Sequence, residues 1–450
     1  MLRRAHVAFA VTSLALAACK KAPAIDIEVS TGLETGALSV DPKVVRVDVV
    51  AKSVDGKTSV KASAAPRGSF DLGEVPDDIA FRFELTGVGA DGTTIARGRS
   101  VDFVVGSVLS GKVPLFMQRL GSFSRPPGAM PSAHVRGYAA VFRERYLLLT
   151  GGDSAADAKG AANPAVGDFY DLLALGGAQG GLFSRSAGLV VARGNSVLVA
   201  DANGGTWTDL STAGSADVTP PDGLAFADVI GGTAFETSTG DTWIVGATRQ
   251  SAPSAAILVV GSDSTLTART LTVARQGAAA AWIAGVGLVV AGGSATTKGI
   301  EIVPQTGSAS VLPYPADDTT GAALVTLPSD QAMLVGGTTG GLAAPTRVVD
   351  LRCAADCAYQ SIDSATVSTL ASRTSAFAIP GAYLVVGDDP NGQTRAFRVR
   401  LDDQSATELP FREPRLGATA VAAPNGTLLV LGGSLVSGGP ALDVESYFPE

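Results

Sequence analysis

At 450 residues the chain is about three times the length of an ordinary domain, so it either divides into several domains or repeats a unit. With 46% hydrophobic and 17% charged residues and a mean hydropathy of +0.27, it has ample material for a core, which excludes a disordered chain. Two histidines and a net charge of −8 exclude most histidine-based catalytic and metal sites and argue against a nucleic-acid partner.

The chain opens with Arg3 and Arg4, followed by a mostly apolar run over 5–18. That run falls short of the ~20 residues a membrane-spanning helix needs, and it has the layout of a secretory leader. It ends in Leu16-Ala17-Ala18-Cys19, which resembles the lipobox of bacterial lipoproteins. The resemblance implies that 1–18 is a signal peptide, that Cys19 becomes the lipidated N-terminus, and that 19–24 is the anchor linker. Attachment to a membrane is then expected through acyl chains only. Lys20 stands where an aspartate would retain the protein at the inner membrane, so the expected location is the bacterial cell envelope, at the outer membrane.

Residues 25–111 read as alternating strands separated by Asp55-Gly56 and Asp91-Gly92 turns. Examples are VVRVDVVA (44–51) and IAFRFELTG (79–87), the pattern of hairpins with one buried face. The expectation is a β-sandwich, immunoglobulin-like or transthyretin-like, acting as a spacer above the anchor.

From about residue 112 an apolar strand running into a small turn recurs. Its copies start at Leu147, Val197, Thr242, Leu288, Met333, Tyr383 and Leu428. A strand-only unit of 45–50 residues predicts the four-stranded blades of a β-propeller, seven in number. Four copies end in a glycine pair: Gly151-Gly152, Gly292-Gly293, Gly336-Gly337 and Gly432-Gly433. A chain leaving a buried strand into a tight turn needs φ > 0 without a Cβ clash. The stretch 277–293 is apolar throughout, but five of its residues are glycine and it aligns with two blade strands. It is read as buried sheet. Over 205–240, LAFADV and TAFETST compete for one strand position.

Strand, glycine pair and period, with an arginine ahead of the turn at Arg136, Arg185, Arg275, Arg373 and Arg415, resemble kelch repeats. The third and fifth copies lack the arginine, and the histidine and tryptophan usual in that family are mostly replaced. The resemblance implies a divergent kelch propeller over 112–450, all-β throughout, in which the arginines pack between blades. The last unit stops after three strands at LDVESYF (442–448). The segment 112–123 is expected to supply its fourth strand and close the ring.

Cys353 and Cys357 lie between two strand-like runs. With no further cysteine or histidine nearby for zinc, they are expected to form a disulfide. His134 is read as a half-buried structural residue. No serine sits in a nucleophile elbow, and no phosphate-binding glycine loop precedes a helix. A single histidine in the mature chain also excludes galactose oxidase-type copper chemistry. The run 201–207 resembles part of a sialidase Asp-box, a structural turn. The pairs Asp317-Asp318, Asp388-Asp389 and Asp402-Asp403 lack the spacing of a calcium loop, so no metal and no cofactor are expected. The expected function is non-enzymatic binding of a protein or glycan partner by loops on one propeller face, chiefly 153–168, with 294–299, 338–345 and 434–441 beside it. The alternatives are a glycosidase or sialidase-like propeller using channel carboxylates and an outer-membrane assembly scaffold.

Overall fold

The computed structural model describes residues 26–73, 75–108, 111–153, 165–362 and 367–449. The leader, Cys19 and the linker expected at 19–24 lie outside these residues, as does most of the loop 153–168. Among the described residues every regular element other than four 3-10 turns is a strand.

The N-terminal part is built on one six-stranded sheet. Its strands run in the order Ser59–Ala64, Arg46–Ser53, Ala80–Val88, Thr94–Arg99 and Gln118–Arg119, with Phe103–Val104 also beside Ala80–Val88. Alternation along Arg46–Ser53 and Ala80–Val88 buries one face, as a period of two requires. Where an immunoglobulin-like or transthyretin-like sandwich was expected, this sheet stands with a ribbon in which Asp26–Ser30 pairs in parallel with Lys112–Phe116. The described residues of 65–79 add no strand, because Pro66, Gly68, Gly73 and Pro76 interrupt both donors and extended geometry. It contributes Phe70, Leu72 and Val75 to the core instead.

Among the described residues seven antiparallel sheets of three or more strands follow, six of four strands and a last one of three, with two two-stranded ribbons beside them. Each is a meander from the inner strand outward, as in Tyr138–Phe142, Tyr146–Thr150, Val166–Asp171 and Gly176–Leu182. Inner strands of successive sheets lie side by side: Tyr138–Phe142 meets Leu189–Arg193, and Thr233–Glu236 meets Ala279–Ile283. Ala279–Ile283 in turn meets Ala323–Leu327, and Thr419–Ala422 returns to Tyr138–Phe142. This is a β-propeller. The apolar stretch 277–293 supplies the strands Ala279–Ile283 and Gly287–Ala291, and no helix among the described residues is long and apolar enough to cross a membrane. Over 205–240 the strand is Thr233–Glu236, while 226–228 forms a 3-10 turn that buries Phe226.

All eight glycines of the four pairs have positive φ, from 67° to 97°. Their close contacts explain why. A Cβ on the first glycine of a pair would meet the next sheet: Gly151 the carbonyl of Ala187 at 2.4 Å, Gly292 that of Thr319 at 2.7 Å, Gly432 that of His134 at 2.6 Å. A Cβ on the second would meet the chain entering its own sheet, as Gly152 meets the Val135 carbonyl at 2.4 Å. The pair is therefore the seam between sheets, and Gly432 against His134 joins the last sheet to the first.

The segment expected to close the ring behaves differently from the expectation. Residues 112–119 pair with the N-terminal strands Asp26–Ser30 and Thr94–Arg99. It is Ser124 that bridges Ser446 through two backbone hydrogen bonds of 2.9 and 2.7 Å. The edges of Asp26–Ser30 and Thr94–Arg99 take up 112–119 before the chain reaches the last sheet. The N-terminal part also packs against the propeller. Val49, Phe83 and Leu115 share one core with Leu147, Leu149, Leu429 and Leu431 of the first and last sheets. Arg125 ties Glu34 to Glu413 and Asp443 at 2.9–3.3 Å.

Candidate functional site

The inner strands surround a channel. A cavity of about 1000 Å³ is lined by residues from all seven sheets. A second, of about 1110 Å³, lies toward the hairpins Arg143–Glu144 and Arg193–Asn195 and includes Arg82 and Asp102 of the N-terminal sheet. Arg82 and Asp102 form a two-pronged ion pair at 2.7 and 2.8 Å. The N-terminal part thus stands at one end of the channel, and the glycine-pair turns surround the other.

The five arginines expected to be equivalent fall into two groups. Arg275 and Arg415 are fully buried and stand 17 residues before the first glycine of a pair. Arg275 donates to the carbonyls of Gly292, Lys298 and Gly299 at 2.7–3.2 Å and faces Glu301 at 3.8 Å. Arg415 donates to Gly432 O, Asp443 O and Glu445 at 3.0–3.4 Å. Burial lowers the pKa of both guanidinium groups and raises that of Glu445, against the attraction between the partners. Arg185 stands at the same position in the second sheet but is partly exposed and donates to side chains instead, Thr206 at 3.0 Å and Asp217 at 3.2 Å.

In the first sheet the same position is held by His134, which is buried, not half-buried. One ring nitrogen contacts Gly151 O at 2.8 Å and the other Asp168 at 3.2 Å. Ser132 also donates to Asp168, so serine and histidine share one carboxylate oxygen and the serine is not activated by the histidine. Asp168, Glu301, Arg347 and Glu445 occupy one register position on the third strands, opposite Leu149, Val290, Leu334 and Val430. In the fifth sheet the charge is reversed, with Arg347 donating to Asp317 at 2.9 Å and Thr319 at 2.7 Å. The signal for this position was a lone charge between apolar strand residues, as Glu301 in GIEIV (299–303).

Arg136 and Arg373 belong elsewhere. They line the channel mouth with Arg249, Tyr138, Asp153 and Asp388. Arg136 pairs with Asp153 at 2.6 Å, both side chains about half exposed. Arg373 lies 3.6 Å from Asp388 and donates to Thr419 at 3.4 Å. Asp388 accepts from Thr394 at 2.7 Å, and burial raises its pKa. Arg249, in a sheet where no arginine was expected, donates to the carbonyls of Ala227, Ala252 and Pro253.

The remaining expected features are turns. Cys353 and Cys357 form a disulfide in the loop between Thr346–Asp350 and Gln360–Ile362. Asp201 accepts from the backbone of Asn203 and Gly204, Asp389 from Asn391 and Gln393, and Asp403 from Ser405. Among the described residues no three His, Cys, Asp or Glu side chains gather as a metal site.

No protein-family model matches the chain, and no curated protein does. Among solved structures it is similar to a streptogramin B lyase at 12% identity and a TM-score of 0.45, over 72% of this chain and 96% of that one. A quinoprotein alcohol dehydrogenase-like protein from Bacteroides thetaiotaomicron is similar at 10% identity and 0.41, over 80% and 88%. The WD40 domain of Neurospora crassa Pan2 is similar at 11% identity and 0.41, over 73% and 98%.

Proposed function

We propose that this chain is a non-enzymatic binding module of the bacterial cell envelope. In this reading it is a seven-bladed, kelch-like propeller, lipid-anchored through Cys19 at the outer membrane, that docks a protein or glycan partner on the face of the glycine-pair turns. The observation that carries it is the difference between the two faces. The N-terminal sheet stands at one end of the channel, whereas the opposite face gathers the longer connections and leaves Leu182, Leu342 and Val436 at 72%, 75% and 51% exposure. Apolar tips on loops held by a rigid scaffold are how such surfaces present contacts.

The test is mild crosslinking in the native envelope followed by affinity capture, comparing wild type with a variant shortened over 154–166. A partner captured by wild type and lost from the variant supports the reading, and a captured barrel protein would specify an assembly scaffold. Equal capture by both, or none by either, sinks it. Asp388 favours a second reading, since a carboxyl with a raised pKa in a cavity suits acid catalysis. Glycoside turnover by wild type that disappears in Asp388→Asn would replace the first reading.

A further inference from the structure

At the entry to the inner strands the backbone turns through a left-handed conformation. Gly231, Gly277, Gly321 and Gly417 each stand two residues before an inner strand, with φ from 61° to 77°. Two sheets put arginine there instead: Arg136 at φ 56° and Arg373 at φ 50°. Arg136 precedes Tyr138–Phe142, and Arg373 sits in the bulge before pairing resumes at Ser375. A non-glycine residue in this region is strained, and such strain persists where the side chain is held for a purpose. Glycine serves the same turn in four other sheets, so the turn itself does not call for arginine.

Both side chains line the same mouth and are incompletely partnered. Arg373 Nη1 is buried and makes no hydrogen bond, with Asp388 standing off at 3.6 Å. Arg136 makes its side-chain hydrogen bond to the exposed Asp153 with one nitrogen only. The two arginines are close enough that Arg136 stabilises the Asp388 carboxylate and disfavours the charge on Arg373. Arg249 adds a third positive charge, though its nitrogens already donate to carbonyls. Asp153 and Asp388 stand against the three arginines at the mouth, with Glu236 further along the same cavity, so what the mouth offers an anion is unpaired guanidinium nitrogens rather than a net charge. Planar guanidinium forks with free donors match the oxygens of a carboxylate or phosphate. Deeper in the same cavity Phe235, Trp282 and Phe377 offer apolar wall.

We infer that the mouth of the channel, between Arg136 and Arg373, is a binding site for the carboxylate or phosphate group of an organic anion whose remainder enters the channel. The site goes beyond partner docking by the outer loops and stands or falls separately from it.

Thermal unfolding and Trp282-sensitive fluorescence of the full chain, titrated with inorganic phosphate or acetate against chloride at equal ionic strength, test this. Saturable stabilisation by phosphate alone assigns a phosphate ligand, and by acetate a carboxylate ligand. Arg136→Gly and Arg373→Gly place glycine where four other sheets have it, so both variants are expected to fold. Each is expected to weaken the anion response by about tenfold or more, the effect of removing a charge-assisted hydrogen-bond partner. An anion effect no larger than that of chloride, or one that survives in Arg373→Gly, overturns the inference. Loss of partner capture on shortening 154–166 with an intact anion response would separate the two sites.

Discussion

Two positions, two residues apart along the chain, hold arginines in opposite circumstances. Arg275 and Arg415 lie behind the glycine-pair turns, buried, donating to the carbonyls of Gly292 and Gly432. Arg136 and Arg373 stand at the inner-strand entry and face the channel. The first position joins the turn to the third strand of its own sheet, since the same guanidinium stands beside Glu301 or Glu445. The second leaves donors facing the cavity. Residue type and approximate spacing are shared, so what separates the two roles is the backbone: extended before the strand in one case, left-handed in the other.

The contrast is broken most directly at Arg415. Its removal by Arg415→Ala strands Glu445, which is fully buried and otherwise accepts only from the backbone of Arg412 and Glu413 at 2.8 Å. Leaving one partner of a buried ion pair uncompensated costs about 3–5 kcal/mol. Arg136→Gly relieves a left-handed arginine and is expected to be neutral or stabilising, by up to about 1–2 kcal/mol. Denaturant unfolding of the two variants measures both, and equal destabilisation would show that the positions do not differ in kind.

A smaller loss is expected from the seam. Gly432→Ala places a Cβ in a left-handed residue at φ 67° and 2.6 Å from the His134 carbonyl of the first sheet. Gly285→Ala puts the same group at φ 80° into open space. The turn variant carries only left-handed strain of about 1–2 kcal/mol, so Gly432→Ala should melt lower by the added clash. Equal melting temperatures would mean that the last and first sheets do not press together there.

Much of this frame was legible in the amino acids. The glycine pairs and the repeat length located six of the seven second strands to within a residue, because a buried strand that leaves into a left-handed turn allows few residue types. Cys353 and Cys357 were legible because only three residues separate them. The arginine column was not, since Arg373 stands 14 residues before Gly387 and Arg275 17 before Gly292, a variation that hides a change of position. His134 was hidden by its side-chain type, although it meets the Gly151 carbonyl as Arg275 meets that of Gly292. The fate of 112–119 depended on which free strand edges the chain meets first, those of Asp26–Ser30 and Thr94–Arg99 or that of the last sheet, and no local pattern encodes that choice.

The smallest effect separates the two regions by the sign of a pH dependence. Burial raises the pKa of Asp388 in the channel mouth. A carboxyl whose folded pKa exceeds its unfolded value of about 3.9 contributes stability that is present below that value and lost as pH rises through the folded pKa. Asp55, exposed in an N-terminal hairpin turn, is the opposite case: hydrogen bonds from Ser53 and the Lys57 backbone hold its pKa down at about 2. Its contribution is present above about 3.9 and lost as pH falls through about 2. Asp388→Asn should therefore gain on wild type as pH rises above about 4, while the deficit of Asp55→Asn should shrink as pH falls from about 4 toward 2. Melting temperatures of the three proteins across pH 2–7 give both slopes. Slopes of the same sign would mean that water or counter-charge in the channel mouth compensates the burial of Asp388, and that this mouth is as well solvated as a surface turn.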